Sequence, residues 1–123
     1  MEGALDVVRR ICLSLPAVEQ RQSHGRPAWF VRRGRQFAAF HPTHHDVARP
    51  HLWCAAPPGA QEALVAERPE AFFRPPYVEH RGWLGVFLDA GLSERELEGL
   101  LIEAHRQACP PRLRAALDAA ARG

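Results

Sequence analysis

The chain has 123 residues, enough for one domain that buries an ordinary hydrophobic core without disulfides or a structural metal. No apolar run reaches the ~20 residues that cross a bilayer, and the first residues lack the basic and apolar regions of a signal peptide. We therefore expect a single cytoplasmic domain over residues 1–123 that does not contact a membrane. The net charge is only +2 and all 16 basic residues are Arg, so arginine content by itself does not indicate a phosphate-binding protein.

The first part of the chain is predicted to form a helix and a β-hairpin. Apolar residues recur three and four apart over residues 3–14, which indicates an amphipathic helix that Pro16 ends. Two aromatic-rich runs, Ala28–Val31 and Gln36–Phe40, are typical of strands. The residues that join them, and so form the hairpin tip, are Arg32, Arg33, Gly34 and Arg35.

The middle of the chain is predicted to be a loop, a strand and a short helix. Residues His41–Pro50 show no apolar period and contain Pro, Thr, His and Asp, which is typical of a loop. His51–Ala55 alternates as a third strand. Residues 60–68 fit a short helix that Pro69 ends.

The last part is predicted to add two strands and two helices. Phe72–Val78 combines aromatic residues with two prolines, which suits an edge or an irregular extended segment, and Gly82–Leu88 is typical of a strand. Ser93 and Glu96 form a capping box before an amphipathic helix, and a last helix follows Pro110. The predicted fold is two-layer α+β in the order α-β-β-β-α-β-β-α-α, with an antiparallel sheet covered on one face by the N- and C-terminal helices.

A set of short segments then carries a recognisable pattern: Ser14–Pro16, Ser23–Trp29, Gln36–Ala38, Leu52–Trp53, Phe72–Val78 and Gly82–Val86. It resembles the MmcQ/YjbR family of small bacterial proteins over nearly the whole chain, and the Pro-Pro-Tyr-Val and Gly-Trp segments are its most specific parts. The resemblance implies an antiparallel sheet between terminal helices, similar to type III secretion chaperones and called CyaY-like in some members. It also implies DNA binding through winged hairpins, because members are commonly named DNA-binding proteins. It brings no catalytic motif.

The positive charge is regional. Residues 21–55 hold six Arg and one Asp, a net charge of +5, whereas the remainder has a net charge of −3. A projecting hairpin can straddle a nucleic-acid backbone, and guanidinium groups pair bidentately with phosphate. The alternative is a solvated turn enriched in Arg by genome composition. The candidate nucleic-acid-binding residues are Arg26, Arg32, Arg33, Arg35, Arg49 and Arg74.

A polar pocket is a second candidate. If the segments before the first and the last predicted strands meet at one end of the sheet, their side chains would line an aromatic-backed pocket suited to an anion. Otherwise these residues hold loops to the sheet by hydrogen bonds. The pocket candidates are His24, Tyr77, His80, Arg81 and Trp83.

The histidines between the second and third predicted strands are ligand types for zinc. The weak candidates are His41, His44 and His45. Because the loop shows no orienting second shell, we predict exposed histidines and no metal.

No nucleophile with a base, carboxylate pair or phosphate-binding glycine loop is recognisable. We therefore predict a non-enzymatic protein that binds DNA through the arginine hairpin and the adjacent basic segment, without a cofactor. The alternatives are a protein-interaction module of chaperone-like fold with an unidentified protein partner, or a domain that binds a small molecule or a metal.

Overall fold

Within residues 2–42 and 49–122, the computed structural model forms one six-stranded antiparallel sheet in the order β1-β2-β3-β4-β6-β5. The strands are β1 (Val18–Ser23), β2 (Arg26–Val31), β3 (Gln36–His41), β4 (His51–Cys54), β5 (Phe72–Phe73) and β6 (Leu84–Phe87). The helices are α1 (Ala4–Ser14), α2 (Ala60–Glu67), α3 (Glu94–Ala108) and α4 (Pro111–Arg122), with a 3₁₀ turn at Glu79–Arg81.

The core lies between one face of the sheet and the helices α1 and α3. Residues directly opposite each other in an antiparallel pair point to the same face, so Trp29, Ala38 and Cys54 share the face toward the helices. Trp29 is fully buried there, as are Leu52 and Leu84 on the neighbouring strands. The predicted α+β architecture, with a sheet covered by its terminal helices, is confirmed.

The predicted element order lacks one strand, β1, which precedes the predicted hairpin and lies at the edge of the sheet. Its helix-facing Gln20 accepts hydrogen bonds from Trp29 Nε1 and Arg9 Nε, each at 3.1 Å. A polar residue therefore takes the place of the apolar residue that a strand pattern requires. A two-residue turn at His24 and Gly25, with φ angles of 54° and 77°, joins β1 to β2. The observed order is α-β-β-β-β-α-β-β-α-α.

The start of α3 follows the predicted capping box. Ser93 Oγ accepts a hydrogen bond from the Glu96 N–H at 3.1 Å, and the Glu96 carboxylate accepts one from the Ser93 N–H at 3.4 Å. These two bonds satisfy backbone donors that a helix start leaves without an intrahelical partner. Among residues 2–42 and 49–122, no helix has the length and apolar character to cross a membrane.

Candidate functional site

The arginine turn between β2 and β3 packs against the end of α3. The Arg35 N–H donates to the Ala108 carbonyl at 3.2 Å, and the Arg32 N–H donates to the Ala17 carbonyl at 2.8 Å. A Cβ at Gly34 would lie 2.4 Å from the Ala108 oxygen, so only glycine permits this contact. The turn is therefore anchored to the body of the protein, and the projecting wing that the sequence led us to expect is not found. The side chains of Arg32 and Arg35 are nevertheless exposed.

A groove of about 1490 Å³ lies beside this turn. It occupies the end of the sheet where β3 and β6 begin and β4 ends. Its walls are the arginine turn, the start of α2, the segment 79–83 and the junction of α3 with α4. Two carboxylates, those of Glu62 and Glu79, face a larger set of cationic and titratable side chains: Arg21, Arg35, Arg74, Arg81, Arg114 and His80. We call this concavity the basic groove.

Five arginines line the basic groove: Arg21, Arg35, Arg74, Arg81 and Arg114. None of the five forms an ion pair with a carboxylate of residues 2–42 or 49–122. Five arginines outside the groove do form ion pairs with carboxylates: Arg9, Arg10, Arg49, Arg68 and Arg106. Five arginines outnumber the two carboxylates that line this cleft. Because a cleft concentrates the field of the charges that line it, the basic groove is a place where this chain would attract an anion.

One wall of the basic groove is fixed by the buried side chain of Gln61 in α2. Its amide donates to the carbonyl of Glu79 at 3.0 Å and to that of Trp83 at 2.5 Å. These bonds hold both ends of the segment that carries His80 and Arg81. Sequence reasoning missed Gln61, because a glutamine inside a short helix gives no signal until its partners are known.

The predicted pocket is divided by the sheet. His80, Arg81 and Trp83 line the basic groove, but His24 lies in the β1–β2 turn. Strands β2, β3, β4 and β6 are neighbours in that order, and each pair is antiparallel. The start of β2 therefore lies at the same end of the sheet as the end of β6, and the start of β6 lies at the opposite end. The two segments therefore do not converge. Tyr77, the remaining candidate for the predicted pocket, is 73% exposed.

The predicted nucleic-acid-binding residues also separate. Arg35 and Arg74 line the basic groove, whereas Arg26 starts β2 at the far end of the sheet. Arg49 already has an acidic partner. Its guanidinium donates to Asp89 at 2.6 and 2.9 Å and lies 3.9 Å from the centroid of the Phe87 ring.

The Arg49 pair also affects the pKa of its acidic partner, Asp89. Hydrogen bonding from Arg49 is the main cause that holds the pKa of Asp89 below its usual value. Arg49 therefore differs from the arginines of the basic groove, because it already has a carboxylate partner.

Two histidines, His41 and His51, are buried on the face of the sheet opposite the helices. His41 belongs to β3 rather than to a loop, is 3% exposed, and stacks on the ring of His51 at 5.0 Å between centroids. His51 Nδ1 donates to the Arg49 carbonyl at 2.7 Å. Burial lowers the pKa of His51, an effect opposed by that hydrogen bond and reinforced by the charge of Arg26. The expectation of exposed histidines is wrong for His41.

His44 and His45 lie outside the described residues. Among residues 2–42 and 49–122, no group of three or more His, Cys, Asp or Glu side chains is arranged to hold a metal ion.

Fold and groove together define a small α+β domain with a cationic cleft at one end of its sheet. The chain belongs to the YjbR family, whose model matches residues 13–107. Its structure is similar to the crystal structure of the Deinococcus radiodurans protein DR2400, a DUF419 domain, with a TM-score of 0.69 and 17% sequence identity. The match covers 87% of this chain and 81% of that chain, and at this identity it shows a shared fold. No curated protein matches the chain.

Proposed function

We propose that this protein binds the phosphate backbone of a nucleic acid in the basic groove, and that its role is binding rather than catalysis. The observation that carries the proposal is the set of five arginines that line one concavity and form no ion pair with a carboxylate of residues 2–42 or 49–122. Guanidinium groups match phosphate oxygens bidentately. A polyanion is therefore the ligand that would gain most from this arrangement.

The proposal moves the contact relative to the sequence-based expectation. The arginine turn takes part as a wall, because Arg35 lines the basic groove and the turn is fixed to Ala108. Arg32 and Arg33 lie beside it on the exposed side of the turn and would contact phosphates where the strand leaves the groove. Arg26 and Arg49 have no part in the contact.

The test is a salt titration of binding to labelled DNA, in single- and double-stranded form, between about 50 and 200 mM salt. Each phosphate contact contributes about 0.9 to the slope of log affinity against log salt on duplex DNA. Replacing Arg35 and Arg81 together by Gln is expected to weaken binding and reduce the slope by about 2.

A matched control separates the groove from net charge. Arg95 and Arg122 are exposed, lie outside the basic groove and form no ion pair within residues 2–42 and 49–122. Changing both to Gln removes the same charge and is expected to leave the slope nearly unchanged. Equal losses in the two double variants, or no binding by the unmodified protein at low salt, would rule the proposal out.

A further inference from the structure

An aromatic side chain stands out on the loop that forms one wall of the basic groove. Tyr77 is 73% exposed, more than Leu13 at 49% or Ile102 at 43%, the other exposed large apolar residues of the described chain. Its loop, residues 74–83, also supplies Arg74, Arg81 and other groove residues. The exposed ring therefore belongs to the same loop as two arginines of the basic groove, and tyrosine is among the residue types enriched at binding contacts.

The backbone holds Tyr77 in this position. Its φ angle is +70°, a left-handed conformation that costs energy for any residue with a side chain. The loop is held on both sides of Tyr77. Pro75, before it, is fully buried, and Gln61 donates hydrogen bonds to the carbonyls of Glu79 and Trp83, after it. The backbone that carries the ring is therefore held on both sides of Tyr77.

Other aromatic rings follow the same groove. Trp83 and Phe30 line it, and the guanidinium of Arg21 lies 3.9 Å from the centroid of the Phe30 ring. An arginine channel with aromatic rings along it is the arrangement that binds single strands, in which phosphates pair with cations and unpaired bases stack on rings. A duplex offers the same phosphates but keeps its base faces stacked inside.

We propose that the basic groove takes single-stranded nucleic acid and that Tyr77 stacks on an unpaired base at its rim. This inference rests on the proposed function, since it requires phosphate binding in the groove. It adds a selectivity for strands whose bases are free.

Three probes separate the phosphate contacts from the base contact. They are a thymine oligonucleotide of about 12 nucleotides, an abasic oligonucleotide of the same length, and a duplex of the same length. Binding is followed by fluorescence anisotropy at low salt. The unmodified protein is expected to bind the thymine strand more tightly than either of the other two.

Variants of Tyr77 then assign the difference to one ring. Tyr77→Gly suits the left-handed backbone and so keeps the fold, and it is expected to weaken binding of the thymine strand by roughly 5- to 150-fold, the range seen for one base stack. It is expected to leave binding of the abasic strand unchanged. Tyr77→Phe keeps the ring and should bind like the unmodified protein, and Ile102→Ala removes an exposed apolar side chain elsewhere and should have no effect.

The two proposals fail in different ways. Absence of binding to all three probes would refute nucleic-acid binding and this inference with it. If the protein binds the duplex or the abasic strand as tightly as the thymine strand, or if Tyr77→Gly loses nothing on the thymine strand, phosphate binding stands and only the stacking role of Tyr77 is overturned.

Discussion

The contact between the arginine turn and α3 leads to a prediction at Gly34. In Gly34→Ala, the new Cβ would lie 2.4 Å from the backbone oxygen of Ala108, 3.1 Å from Pro110 Cδ and 3.2 Å from Val31 Cβ. A backbone oxygen at the end of a helix cannot move away by changing a rotamer, as a flexible side chain can. The turn must therefore lift away from α3.

Gly34→Ala lowers the free energy of unfolding in two ways. Lifting the turn breaks the hydrogen bond from the Arg35 N–H to the Ala108 carbonyl, worth about 0.5–1.5 kcal/mol. Forcing a methyl group into a packed contact costs about 1–3 kcal/mol. We therefore expect Gly34→Ala to lower the free energy of unfolding by about 1.5–4.5 kcal/mol. Binding to nucleic acid should weaken too, because the turn carries Arg35.

Urea unfolding measures this effect, with Gly99→Ala as the matched control. Gly99 lies within α3, and a Cβ there meets no atom within 4 Å, so alanine should stabilise the helix by about 0.5–1 kcal/mol. With a slope of about 1–3 kcal/mol per molar urea, Gly34→Ala should lower the midpoint by roughly 1 M or more. A Gly34→Ala protein as stable as the unmodified one would show that the turn does not pack on α3 as described.

Further predictions concern the face of the sheet opposite the helices and the wall of the basic groove. His51→Asn should flatten the pH dependence of stability. Burial lowers the pKa of His51 in the folded protein, so the unfolded chain binds more protons than the folded one. The unmodified protein therefore loses stability as the pH falls below about 6.5. Urea midpoints across that range check it. Gly85→Ala places a Cβ 2.4 Å from the ring of Phe73 and should cost about 1–3 kcal/mol; adding Phe73→Leu should recover part of that loss in a double-mutant cycle. Gln61→Ala leaves two carbonyls without their side-chain donor and should speed amide hydrogen exchange in residues 79–83, which a mass-resolved exchange experiment would detect.

Apolar periodicity predicts most of the fold and fails at β1. Elements whose buried face is apolar, such as α3 with Leu97 and Leu101, follow the pattern of their sequence. In β1 the helix-facing Gln20 is satisfied by Trp29 and Arg9, so the strand has no alternation to detect. The turn that follows, with Gly25 at positive φ, is the local signal that could have indicated a hairpin.

The basic groove is harder to predict, because its residues come from distant parts of the chain. The excess charge of residues 21–55 predicts a basic region there, but only two of its six arginines, Arg21 and Arg35, line the groove. Arg49 is paired by Asp89, 40 residues along the chain, and a charge count cannot foresee such a partner. Local patterns therefore indicate that the chain is cationic without locating where the charge is free.

Amide chemical-shift mapping with a thymine oligonucleotide shows where on the protein a nucleic acid binds. If it binds in the basic groove, we expect saturable shifts concentrated in residues 34–36, 55–62, 79–83 and 107–114, which form the groove walls. Shifts concentrated instead at the opposite end of the sheet, around residues 24–27 and 49–52, or on α1, would contradict it.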